Sequence, residues 1–204
     1  MEALLLLNLQ NDFCRGGALE IEGAENLISL ANQCMNEFGA VIATREWHPA
    51  NHVSFAAMHP WRRPGQVIKV NNLEQTLFPM YCIQHSFGAE FHKNLETGKI
   101  NAIFSLGTDA QFGTYSAFYD NGRHRSTGLH AYLTENHITG LHILGLGIDN
   151  FITNTLADAI ELGYSISVIP NGCPGVNNGD TTHQSHPENE FKGPAFSVNG
   201  GTTK

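Results

Sequence analysis

The sequence predicts an α/β fold, a three-layer doubly wound parallel sheet, and three observations carry that expectation. Short apolar runs alternate with longer segments of helical period, the order that builds a parallel sheet covered on both faces. The run around Gly145–Phe151 passes from an apolar strand through glycine-bearing backbone into a helical pattern, as a strand-to-helix turn does. With 204 residues, 41% hydrophobic and 15% charged, the chain is long enough for one well-packed domain and too short for two ordinary ones. The expected strands, in order, are Ala3–Leu9, Ala40–Thr44, Ala102–Leu106, Gly140–Leu146 and Tyr164–Ile169. Helices are expected at Ala24–Phe38, Ala131–Asn136 and Asn150–Leu162; the second rests on weak helix formers such as Thr134.

In such a sheet, ligands bind beyond the C-terminal ends of the strands, so Asn8, Glu46, Leu106 and Phe151 should meet at one mouth. The domain is expected to span residues 1–176. From 177 to 204 the composition turns to Gly, Asn, Thr, Ser, His and Pro with little periodicity, which predicts a polar, loosely ordered tail.

A net charge of −8 without runs of like charge argues against nucleic acid or an anionic membrane as partner, and leaves a small molecule or a protein. The N-terminal Met1–Leu7 is apolar but short and lacks a basic leader, so it is expected to be a buried first strand of a cytoplasmic protein. Cys14, Cys34, Cys82 and Cys173 are far apart with no CxxC spacing, which points to reduced, buried thiols.

Several ordered runs are more specific. They are Asn8-Leu9-Gln10-Asn11-Asp12-Phe13-Cys14 with Gly16-Gly17-Ala18-Leu19, Thr44-Arg45-Glu46-Trp47-His48-Pro49, Cys82-Ile83-Gln84, Tyr115-Ser116-Ala117-Phe118-Tyr119-Asp120-Asn121, and Gly145-Leu146-Gly147-Ile148-Asp149-Asn150-Phe151 leading to Thr155. Together they resemble the nicotinamidases and pyrazinamidases of the isochorismatase-like hydrolases, over most of the chain to about Val176. The resemblance implies an isochorismatase-like fold, a link to pyridine nucleotide salvage, and hydrolysis of an amide by an Asp, a Lys and a Cys beside a metal held by an Asp and two His. The chemistry suits those types. A carboxylate takes the thiol proton and passes it to departing ammonia, an ammonium keeps the carboxylate ionised, and a helix N-terminus favours thiolate.

The sequence departs from the pattern at each of these places. Asn8 stands at the Asp position, Leu106 at the Lys position and Phe151 at the Cys position. An amide is no base near neutral pH, and neither an isobutyl nor a phenyl group supplies a cation or a nucleophile; losing one member of such a unit typically costs several orders of magnitude. At the implied metal site Glu46 and His48 keep oxygen and nitrogen donors, while Tyr81 replaces the third ligand, a His. No cofactor is expected, with a weakly held Zn, Fe or Mn as the alternative, to which His52 or His85 could contribute.

The wall of the implied pocket is better kept. Phe13 and Phe78 stand where the family sandwiches a planar heterocycle, and Leu146-Gly147 where its oxyanion-hole cis peptide lies. The expectation is therefore a nicotinamidase-like protein inactive in amide hydrolysis. It either has a filled, dry pocket or keeps a site for a nicotinamide-like ring, with a protein partner or self-association as further outlets. The alternatives are an active amidohydrolase using Cys14 or Cys82, with Asp12, His48, His52 or His85 as base, and a degenerate copy without function.

Overall fold

The structure, a computed structural model, describes residues 1–148 and 150–174. Asp149, the boundary expected at 176 and the expected tail 177–204 lie outside the described residues.

All five expected strands form, as β1 (Glu2–Leu7), β2 (Val41–Glu46), β5 (Ala102–Leu106), β6 (Gly140–Gly145) and β7 (Ser165–Val168). They make one parallel sheet in the order β5-β2-β1-β6-β7. Alternate side chains of β1 serve opposite faces. Leu4 and Leu6 join the core under helix α1 (Ala24–Cys34), whereas Ala3, Leu5 and Leu7 join the core under α2 (Leu129–Glu135) and α3 (Phe151–Glu161). Helix α1 buries Ala24, Leu27, Ile28, Ala31 and Cys34, the spacing of one helical face. It stops short of the expected Phe38 because Asn36 and Glu37 donate three residues back, to Gln33 and Cys34, which tightens the last turn out of α geometry.

Strand β1 ends at Leu7 rather than Leu9 because Asn8 adopts φ 52, a left-handed conformation that Asn tolerates and that turns the chain out of the sheet. One feature was not expected from the sequence, an antiparallel hairpin of β3 (Val67–Val70) and β4 (Leu73–Thr76). Its turn residues Asn71 and Asn72 have φ 51 and 65, the positive pair that closes a two-residue hairpin loop.

The strand order fixes the mouth. From β1 the chain moves outward through β2 to β5, then returns to the opposite side of β1 for β6 and β7, so the order reverses between β1 and β6. Asn8 follows β1, and Leu146 to Phe151 follow β6, so they flank the crevice where parallel sheets bind ligands.

Candidate functional site

Register sets which side chains can meet. Leu7 pairs with Thr44 across β1 and β2 and with Gly145 across β1 and β6, while Glu46 pairs with Leu106 across β2 and β5. The positions expected at the mouth therefore lie at the C-terminal ends of four adjacent strands or just beyond them. Asn8 is 1% exposed, and its Oδ1 accepts a 2.8 Å hydrogen bond from the Thr44 hydroxyl. Leu106 is equally buried and shares an apolar cluster with Phe151, Ile152 and Leu156. Phe151 opens α3, and a methyl group on Gly147 would come within 2.8 Å of its ring, so the small residue at 147 is what lets the phenyl ring lie across the turn. Leu146 is fully buried, and no cis peptide bond occurs among the described residues, so the Leu146–Gly147 bond is trans.

Next to this corner lies a polar cluster. Glu46 and His48 are both buried, with Oε2 of Glu46 2.9 Å from Nε2 of His48. Thr114 donates to the same Oε2 at 2.8 Å. Nδ1 of His48 stands 3.1 Å from the Gly107 carbonyl, which can only accept, so the ring proton of a neutral imidazole belongs on Nδ1. Nε2 lies at ion-pair distance from the Glu46 carboxylate but without hydrogen-bond geometry to it, and this buried nitrogen has no hydrogen-bonding partner among the described residues. Gly107 has φ 59, and a side chain there would overlap the His48 ring, so glycine is required for this contact.

The separation of these two donors is close to that of two ligands of a tetrahedral ion, which at roughly 2.0–2.1 Å from the metal stand about 3.3 Å apart, but two donors alone do not make a metal site. The remaining donors do not complete it. His52 is fully buried with both ring nitrogens engaged, Nδ1 with the Ser54 hydroxyl at 2.8 Å and Nε2 with the Phe112 carbonyl at 2.9 Å. Burial, then the neighbouring His48, depress its pKa from 6.5 to about 3. Tyr81 is buried, and burial, reinforced by the Glu46 carboxylate, pushes its phenol well above the ordinary range and keeps it neutral. His85 is exposed and packs edge-on to Trp47, ring centroids 5.2 Å apart. Among the described residues no group of three or more His, Cys, Asp or Glu could hold an ion.

The Tyr81 ring instead joins an aromatic cluster. It lies edge-on to Phe13 at 5.8 Å, Phe78 at 5.9 Å, Phe55 at 5.9 Å and His48 at 4.8 Å between centroids. Phe13 and Phe78, expected to sandwich a ligand ring, thus both pack against a ring of the chain itself.

The other thiols and bases weighed from the sequence have structural partners. Asp12 accepts from the amide of Ala18 at 3.2 Å and from that of Cys82 at 2.6 Å, which pins the loop after β1 to the Cys82 turn. Cys82 is fully buried, and burial together with Glu46 and Asp12 raises its pKa far above normal. Cys14 is 4% exposed, and burial followed by Glu25 lifts it to about 11. Gln10, which sequence reasoning did not single out, is the principal clamp. Its amide donates to the carbonyls of Glu46 and Ala89 and accepts from the Glu46 N–H, at 2.7, 2.8 and 2.8 Å. Its signal in the sequence was its place in the Asn8–Cys14 run, as a long polar side chain shortly after a buried strand.

An open cleft of about 100 Å³ remains at the end of β5, lined among others by Leu106, Gly107, Thr114, Ser116, Asp120 and Arg125. Its walls mix hydroxyl and charged groups with the apolar surface of Leu106, Phe112 and Tyr119.

The parallel sheet with its switch-point mouth defines a doubly wound α/β scaffold, and residues 2–188 match the isochorismatase domain. The chain belongs to that family. It is 43% identical over 182 residues to the nicotinamidase of Escherichia coli K12, covering 86% of this chain and 84% of the relative. A solved nicotinamidase/pyrazinamidase of Acinetobacter baumannii superimposes with a TM-score of 0.81 at 36% identity, over 88% of this chain and 87% of that one. The yeast nicotinamidase bound to the inhibitor nicotinaldehyde gives 0.80 at 26% identity, over 87% and 90%. A pyrazinamidase of Pyrococcus horikoshii solved in complex with zinc gives 0.67 at 26%, over 88% and 89%.

Proposed function

We propose that this chain is a nicotinamidase-like protein that does not hydrolyse amides. The observation that carries the reading is the corner formed by Asn8, Leu106 and Phe151, where an amide, an isobutyl and a phenyl group, all buried, occupy the positions at which the family's reaction needs a base, a cation and a thiol. Phe151 sits at the helix N-terminus that would stabilise a thiolate, and it offers no group to ionise. The surrounding chemistry does not replace what is missing. Cys14 and Cys82 are inaccessible thiols held in the protonated form, and the Asp12 carboxylate is taken up by two main-chain donors. This weighs against turnover through Cys14 or Cys82.

Glu46 and His48 present two donors, which suit a weakly held Zn, Fe or Mn rather than a tightly bound ion, and no reaction step is assigned to one. Tyr81 packs edge-on against both Phe13 and Phe78, which favours a filled pocket at that wall. Any small-molecule site that persists belongs to the cleft beside Leu106, where hydroxyls together with the apolar surface of Phe112 and Tyr119 would hold a nicotinamide-like ligand. Four free, buried cysteines suit a reducing compartment, in keeping with a cytoplasmic protein, and among the described residues no helix is long and apolar enough to cross a membrane.

The test is ammonia release from nicotinamide by the wild-type protein with zinc, manganese or iron added, alongside an active family member. Release no faster than the protein-free control is expected; turnover would overturn the reading. A rise in melting temperature with nicotinamide or nicotinate would support a retained ligand site, since ligands that bind only the native state stabilise it by mass action. No shift at millimolar ligand would favour the filled pocket.

A further inference from the structure

The segment that carries Trp61 and the adjoining hairpin form a surface that the site does not use. Trp61 is fully exposed, Val67 is 56% exposed and Met58 40%. Arg62, Arg63 and Lys69, in the same stretch of chain, are also exposed. The main chain makes this one unit. Arg62 donates to the His59 carbonyl at 3.1 Å, Gly65 to Leu77 at 2.7 Å and Leu77 to Gln66 at 2.8 Å, so the turn bearing Trp61 runs directly into β3. Strand β3 pairs with β4 alone among the described residues, which leaves its other edge without a neighbouring strand. An edge of this kind, with a fully exposed tryptophan and two arginines at its start, has the composition of a binding hot spot.

Charge singles out the occupant. From Ser54 to Met80 the sequence carries Arg62, Arg63 and Lys69 against Glu74 alone, in a chain whose net charge is −8. We propose that the free edge of β3 and the Trp61 turn dock an acidic, extended segment of another protein, which adds to β3 as a strand. Main-chain hydrogen bonds to the edge would supply affinity. Met58, Trp61 and Val67 would cover the apolar side chains of the segment, and Arg62, Arg63 and Lys69 would pair with its carboxylates. An anionic bilayer or a nucleic acid spreads charge over a wide area and would meet the repulsion of the whole chain, whereas a short segment meets mainly the nearby cations. Docking at this edge is independent of the catalytic reading, and its test involves no turnover.

The probe is a labelled synthetic peptide of alternating Glu and Val, about eight residues long, titrated into the full chain and followed by fluorescence anisotropy. Binding that falls with added salt is expected. The Arg62→Glu, Arg63→Glu double variant should weaken it about tenfold or more, while the same variant should gain affinity for a peptide of alternating Lys and Val. Trp61→Ala should weaken the acidic peptide with no loss of thermal stability, since the side chain is fully exposed. The proposal is overturned by no binding at millimolar peptide, by equal binding of the Lys peptide to wild type, or by undiminished binding to the double variant. It is also overturned if phosphatidylserine vesicles or a single-stranded oligonucleotide bind this surface in preference to the peptide.

Discussion

The hydroxyl of Thr44 donates to Oδ1 of Asn8 across 2.8 Å, in a position where Asn8 is 1% exposed. A carboxylate at position 8 could accept the same bond, but Leu106 at the end of β5 offers it no cation. Burial would then raise the folded-state pKa of the introduced carboxyl above its unfolded value, so the penalty of the charge is absent at acid pH and appears as pH rises through the folded pKa.

Asn8→Asp is therefore expected to be about 1–3 kcal/mol less stable than wild type at pH 8, with the gap closing toward pH 4, as measured by urea denaturation. Adding Leu106→Lys should recover part of the loss at pH 8. Equal stability of Asn8→Asp and wild type at that pH would show that the site is open to water.

The thiols test the alternative chemistry. Cys14, Cys34, Cys82 and Cys173 are all buried, and burial raises each thiol pKa, with Cys14 and Cys173 at about 11. The folded protein should react with a thiol reagent at pH 7.5 at least about a hundredfold more slowly than the denatured chain, where all four titrate. One fast-reacting thiol in the folded protein would identify a candidate nucleophile.

His52 gives a pH signature. Its folded pKa of about 3 lies below the ordinary 6.5, so the unfolded chain takes up a proton that the folded protein refuses. The stability this confers is present above 6.5 and is lost as pH falls from 6.5 toward 3. Its ring nitrogens should not titrate by NMR between pH 5 and 8. In His52→Gln the decline in stability over the acid range should flatten, by an amount on the order of a few kcal/mol. An ordinary titration near neutrality would contradict the closed contacts to Ser54 and Phe112.

The scaffold was far more legible in the sequence than the site. Strands β1 and β6 are buried on both faces and read as largely apolar sequence, β2 does so over Val41-Ile42-Ala43, and the outer strand β5 still carries a short apolar run, while β7 alternates Ser with Ile and Val. The β3–β4 hairpin escaped because Val67–Val70 is half exposed and too weakly patterned, although Asn71-Asn72 between two β-prone runs was an available turn signal. At the site, residue types at Asn8, Leu106, Phe151 and Tyr81 could be read directly. Their partners could not, because the Thr44–Asn8, Gly107–His48 and Thr114–Glu46 contacts join residues 36, 59 and 68 positions apart. That Tyr81 would pack against Phe13 as well as its near neighbour Phe78 likewise depends on how two separate loops meet.

Phe151 also contributes to the core. It is 6% exposed and packs with Leu106, Ile152 and Leu156. Phe151→Ala should cost about 3–5 kcal/mol in denaturant unfolding, and Phe151→Leu less than about 1.5 kcal/mol. A loss below about 1 kcal/mol for the alanine variant would mean that the ring is not packed as described.

The most direct measurement compares ammonia release from nicotinamide by wild type and by the variant Asn8→Asp, Leu106→Lys, Phe151→Cys, Tyr81→His, with zinc, manganese or iron present and circular dichroism confirming that both are folded. No release by wild type and measurable hydrolysis by the variant are expected, because the four substitutions return a base, a cation, a thiol and a third metal donor to the mouth of the sheet. Turnover by wild type, or silence of a folded variant, would contradict this expectation.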